Sequence, residues 1–210
     1  RIVNLSIQIL FIMANTTAAY GLKPVSNNGI LRVNPYYVPA SLASLGIGTP
    51  VVRGGTSNTV ATINGQSYPA GTLASIAVAT GGTTNPLTGA IVGFELIPTD
   101  LFKAGYNAAS TERVAYVSDH PDQQYTIIDD AAGTLAVTDV GLNANLTVGT
   151  VNAFTGLDST TLDTTTPATT VGFQLKILGL SNRQNNELAA GAEWVVKINN
   201  HTDANAVVGV

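Results

Sequence analysis

The sequence predicts an all-β protein, a β-sandwich or β-barrel-like domain of roughly nine to ten short strands with an extended N-terminal arm. Three observations predict it. Short runs rich in Val, Ile, Thr, Tyr and Phe recur along the chain, several with period-two alternation. Turn dipeptides punctuate them: Gly54-Gly55, Asn64-Gly65, Gly81-Gly82 and Asn85-Pro86. Helical periodicity is scarce, with room for a turn at residues 41–45 and at 186–190.

The arm comes first, over residues 1–30. Val3, Leu5, Ile7 and Ile9 alternate with Asn4, Ser6 and Gln8, and Phe11 follows. That period argues for an extended strand, and an apolar extended terminus docks on something, often a neighbouring subunit's sheet edge. The run up to Met13 is too short to cross a bilayer, which takes about 20 apolar residues. A secretory signal is one reading of it. The other rests on Met13, the sole Met, and on Ala14-Asn15-Thr16-Thr17 after it, which reads as a mature start. Residues 1–12 are then upstream coding sequence or the remnant of a longer arm.

A single β domain spans residues 31–210. Its expected strands are 50–53, 59–63, 74–80, 89–97, 113–117, 124–128, 134–138, 145–148, 170–178 and 193–199. The segment 170–178 alternates most clearly, with Val171, Phe173, Leu175 and Ile177 on one face and Gln174 and Lys176 on the other. In the last strand Trp194, Val196 and Ile198 share the apolar face. Asn64-Gly65 is the best hairpin signal, because both residues tolerate the positive φ of a type I′ turn. Residues 158–170, rich in Thr and Asp, read as a long surface loop.

Composition narrows function. The chain has 210 residues, enough for a sizeable core, and is 45% hydrophobic. Only 10% of residues are charged, against about 25% in ordinary proteins. A surface of Thr, Ser, Asn, Gly and Ala carries little colloidal repulsion and suits a protein that lives assembled. Net charge is −4, with 9 scattered Lys and Arg. No cationic patch can be built from these, which argues against direct nucleic-acid binding. With no Cys, disulfides, thiolate metal sites and Cys nucleophiles are excluded.

The search for chemistry returns little. His120 sits in Ser118-Asp-His-Pro-Asp122, but acids adjacent in a loop do not make a triad, and no Gly-x-Ser-x-Gly elbow exists. His120 reads as a turn residue, and His201 as one that caps a turn or meets a partner. Asp119 with Asp122, Asp129 with Asp130, and Asp158 with Asp163 lack the alternating spacing of a Ca²⁺ loop and read as solvated turns. Gly46-x-Gly48 lacks the residues of a phosphate loop. Tyr36-Tyr37 divides between core and subunit contact, where Tyr is enriched.

Particular phrases go further than these residue types. They are Ala18-Ala-Tyr20-Gly-Leu22-Lys-Pro24-Val25, Tyr36-Tyr37-Val-Pro-Ala-Ser41 and Ile47-Gly-Thr-Pro-Val-Val-Arg53. Gly89-Ala-Ile-Val-Gly-Phe-Glu95, residues 109–122, Val140-Gly-Leu-Asn-Ala-Asn145, residues 175–180 and Val196-Lys-Ile-Asn-Asn-His201 continue them. Together they resemble a family of small virion structural proteins of tailed double-stranded DNA phages, whose members are similar to capsid decoration (cement) proteins. The resemblance runs from Met13 to Val210, and residues 1–12 depart from it. It implies a non-enzymatic protein on the capsid surface of the virion. Cofactors, metals and membranes have no part in it, the partner is the major capsid protein, and self-assembly gives a homotrimer. The candidate partner-binding residues are Val3, Leu5, Ile7, Ile9, Phe11, Tyr20, Leu22, Tyr36 and Tyr37. The alternatives are a tail or other non-capsid virion protein, and, more remotely, a glycan-binding or hydrolytic β-fold.

Overall fold

Alternating apolar residues favour strands because successive side chains point to opposite faces, so one face of a strand can pack into a core. A computed structural model describes residues 15, 18–25, 32–59, 62–98 and 105–204. Among these lie fourteen strands and one short 3-10 turn. The strands in chain order are β1 (Lys23–Val25), β2 (Val33–Val38), β3 (Pro50–Ser57), β4 (Thr62–Ile63), β5 (Gln66–Ser67), β6 (Ala74–Val78) and β7 (Gly89–Phe94). Then follow β8 (Arg113–Ser118), β9 (Gln124–Ile128), β10 (Asn143–Ala144), β11 (Leu146–Thr147), β12 (Thr161–Leu162), β13 (Leu175–Leu180) and β14 (Glu193–Ile198). The protein is all-β.

Two bodies are built from them. Strands β2, β6, β3, β7 and β8 close a barrel, and β1, β9, β14, β13 and β10 form a five-stranded antiparallel sheet. Two small ladders, β4 with β5 and β11 with β12, complete the pairing. Inside the barrel, Tyr36, Val38, Leu45, Val51, Ile76, Ile91, Ala115 and Val117 pack together. The larger core lies under the sheet, around Trp194, Tyr125, Ile127, Leu175, Ile177 and Val196. It also takes in Ala79, Leu87 and Ala90 from the barrel side, so one apolar cluster joins the two bodies.

The strand pattern holds closely at 124–128 and 193–199, which form β9 and β14 side by side, with Trp194, Val196 and Ile198 buried. Asn64-Gly65 turns the β4–β5 hairpin with φ of 50° and 87°. Three expectations are corrected. Residues 134–138 do not form a strand: the Asp139 carboxylate accepts from the Ala136 amide at 2.7 Å and ties the segment into the 3-10 turn Val137–Asp139. Residues 170–174 stay outside β13, which begins at Leu175, because Gln174 turns inward. Its amide donates to the Thr80 and Asn85 carbonyls at 2.8 and 3.1 Å and accepts from the Gly82 and Leu146 amides. Residues 158–170 are not one solvated loop, since β12 lies within them and Asp158 is buried. Residues 41–45 and 186–190 turn without helix.

β2 went unpredicted because Pro35 interrupts it. The structure shows why Pro is tolerated: β2 pairs fully with β8, but meets β6 through one parallel pair, Tyr37 with Ser75. Most of that side of β2 is an edge, where a missing donor costs nothing. The arm reading also changes at its end. Residues 23–25 form β1 and add an edge strand to the sheet beside β9. Just before it, Gly21 and Gly48 cross in contact, with the Leu22 amide donating to the Gly48 carbonyl at 2.9 Å. A Cβ on Gly48 (φ +87°) would lie 2.1 Å from the Tyr20 carbonyl oxygen. Only glycine fits there.

Candidate functional site

The splayed β2–β6 seam opens a polar cleft of about 510 Å³. Asp119, buried at the end of β8, is its anchor. Its carboxylate accepts from Arg32 Nε at 2.8 Å, Asn34 Nδ2 at 2.9 Å and the Tyr36 hydroxyl at 2.6 Å. Burial by itself would raise the Asp119 pKa, but these donors outweigh it and hold the carboxyl below its ordinary value. Burial and the same carboxylate push the Tyr36 hydroxyl up. Across the cleft Arg53 pairs with Asp203 at 3.0 Å and lies 5.8 Å from the Tyr36 ring centroid. Behind it, His201 is buried, and its Nδ1 accepts from the Asp203 amide at 2.9 Å. Burial pushes the His201 pKa down. Each charge in this cleft is matched, and the Tyr36 proton is held by a carboxylate. The arrangement is a clasp between β2, the β8–β9 turn and the chain after β14.

The other Asp residues of the local clusters are likewise engaged, and the expectation of solvated turns is corrected at Asp119, Asp129 and Asp158, which are buried on hydrogen-bond donors. Asp129 is buried and accepts from the Gly191 and Ala192 amides and the Trp194 indole at 2.7, 3.1 and 3.2 Å. Asp158 accepts from the Thr160 amide and the Thr49 hydroxyl, and Asp130 from the Thr164 hydroxyl. Asp163 caps its own turn through Thr165, and Asp122 pairs with Lys197 at 2.5 Å. His120 accepts from the Asp122 amide through Nδ1, as a turn histidine does. These contacts suit a carboxylate as a structural acceptor in a chain short of other charges. Among the described residues no cluster of three or more His, Asp or Glu could hold a metal, and no helix is long and apolar enough to cross a membrane.

A second concavity is apolar. A groove of about 460 Å³ lies where β1 passes the barrel, walled by Tyr20, Leu22, Pro24, Ile47, Val92 and Leu157. Gly48, from the Gly21–Gly48 crossing, also lines it. The Tyr20 hydroxyl donates to Thr126 at 3.1 Å, and its burial pushes that hydroxyl's pKa up. Beside the groove, residues 152–156 form a tight turn that carries Phe154, 98% exposed.

The candidate partner-binding residues distribute as follows. Val3, Leu5, Ile7, Ile9 and Phe11 lie outside the described residues. Tyr20 and Leu22 come together in the groove, but Leu22 is fully buried in the chain's own core and presents only its inner wall. Tyr36 fills the barrel and bonds Asp119. Tyr37 is buried on the opposite face of β2, donating to Glu112 at 2.7 Å, and burial raises its hydroxyl to about 12. Both Tyr side chains are therefore spent inside the chain. Residues that the sequence reading did not make binding candidates also shape this surface: Ile47, Val92 and Leu157 wall the groove, and Phe154 stands exposed beside it. The one local signal was an aromatic inside the turn composition Asn152-Ala-Phe-Thr-Gly156. No protein-family model matches the chain, and no curated protein matches it.

Proposed function

We propose that this chain is a capsid decoration (cement) protein of a tailed double-stranded DNA phage, binding the outer face of the shell and stabilising it without catalysis. The observation that carries the reading is the run of phrases between Ala18 and His201 that resemble that family of virion proteins. Its physical demands fit the molecule. A cement protein clamps its partners and consumes nothing, and here the buried carboxylates serve as hydrogen-bond acceptors for the fold. Closed and paired ladders distribute load over many hydrogen bonds, and a charge-poor surface favours dense assembly. Many copies that each add a modest binding energy stabilise a shell strongly.

The test is co-sedimentation of the purified protein with heads stripped of it, followed by heating. Saturable binding that raises the temperature of DNA release is the expected result. No binding to heads overturns the proposal and favours a tail or other non-capsid virion part.

A further inference from the structure

We propose that the outer face of the five-stranded sheet docks on an acidic protein surface through Lys23, Lys176 and Lys197. The inference deepens the decoration reading, on which it rests, by naming the face of this chain that meets its partner. The cations are scattered along the sequence, but folding gathers three of the four lysines. Lys176 on β13 lies opposite Lys197 on β14, Lys197 opposite Gln124 on β9, and Gln124 opposite Val25 on β1. One row thus crosses four strands. In the next row Lys23 lies opposite Thr126, and Thr126 opposite Val195. Partners in an antiparallel ladder point to the same side, as do residues two apart, so the three lysines share one face. It is the face away from the core, since Tyr125, Leu175 and Val196 on the other side are fully buried. Lys23 is exposed, and Lys176 and Lys197 are half-buried.

Two features set this face apart from ordinary surface. Like charges directly opposite in a ladder destabilise it, yet Lys176 and Lys197 face each other in a chain that has few charges to place. The arginines Arg32, Arg53 and Arg183 each pair with a carboxylate of this chain, and Lys197 pairs with Asp122. Among the described residues Lys23 and Lys176 form no ion pair. Unpaired lysine charge is therefore collected on one face of a molecule whose net charge is −4. Such a face attracts carboxylates locally where the whole molecule would repel them. Lys176 and Lys197 also wall a hollow of about 110 Å³, where a partner's carboxylate can meet both. A second copy is a poor occupant. Asp119, Asp129, Asp130, Asp158 and Asp163 accept hydrogen bonds from their own chain, so another copy presents no acidic cluster. Duplex nucleic acid is poor too, because three lysines neutralise too few phosphates. An acidic protein surface needs only a few facing carboxylates, and it fits.

K23E and K176E test this in the full chain, since neither lysine holds an ion pair. K176E sets a carboxylate opposite Lys197, so its melting temperature should hold or rise while binding falls. A lysine kept for the fold would not give that split. In co-sedimentation with stripped heads, each variant should weaken binding about tenfold or more, and K23E/K176E further. K23R/K176R should retain it. Raising salt from about 0.05 to 0.5 M should weaken wild-type binding and leave the residual binding of K23E/K176E nearly unchanged. Heads bound equally by wild type and K23E/K176E overturn the docking face and leave the decoration reading standing. Heads bound by neither overturn the decoration reading. Polyglutamate at low salt then decides the face: binding by wild type that K23E/K176E loses supports it, and no binding overturns it. Duplex DNA bound more tightly than polyglutamate overturns it in favour of nucleic acid. So does a wild-type oligomer that K23E/K176E dissolves in sedimentation velocity, which makes a second copy the occupant.

Discussion

Asp119 shows how a charge-poor chain uses its few charges. One buried carboxylate takes donors from Arg32, Asn34 and Tyr36, residues on one face of the β2 segment. Asp119→Ala leaves the buried Tyr36 hydroxyl without its acceptor, so a loss of about 2–3 kcal/mol in urea unfolding is expected, with the m-value unchanged. The spacing of Arg32, Asn34 and Tyr36 is visible in the sequence. Their common partner 83 or more residues away is not. The same cleft sets an acid response. His201 has a depressed folded pKa, so below about 6.5 the unfolded chain takes up its proton first and stability falls as pH drops. Asp119 is depressed too, so its contribution is whole above about 3.9 and is lost as pH falls through its folded value. Unfolding free energy should therefore decline in two stages on acidification. His201→Gln should remove the upper stage and leave the lower one, which chemical denaturation at a series of pH values will read.

At the scale of elements, the sequence pattern succeeds best where two strands pair over their full length, as β9 and β14 do over five residue pairs. β9 and β14 are read almost to the residue because buried and half-buried positions alternate along most of each strand. The pattern fails at 134–138 and at 170–174, where one polar side chain finds a better local or buried partner than the ladder offers. β2 and β1 escape notice because Pro35 and Pro24 sit in them, and only their edge positions make those prolines acceptable. The glycine crossing is another element-scale feature. Gly48→Ala places a Cβ 2.1 Å from the Tyr20 carbonyl and forces a positive φ on alanine. It should cost about 3 kcal/mol or more and detach the Tyr20–Val25 segment. Faster hydrogen exchange at the Leu22 amide, with the barrel amides still protected, is the expected signature.

Across the whole molecule, barrel and sheet share one apolar cluster through Ala79, Leu87 and Ala90. They should unfold together, giving a single calorimetric transition whose van't Hoff and calorimetric enthalpies agree. Two resolved transitions would mean that the shared cluster does not couple them. Local pattern alone was enough to establish an all-β chain, its strongest strands, the Asn64-Gly65 hairpin and a surface poor in charge, because those properties depend on residues within a few positions of one another. Closure of the barrel, the cleft at its seam, the inward turn of Gln174 and the placing of Phe154 beside an apolar groove came only with folding. Each joins residues far apart in the chain, and the choice among such partners is made by packing and hydrogen-bond satisfaction over the whole structure, which short-range periodicity does not encode.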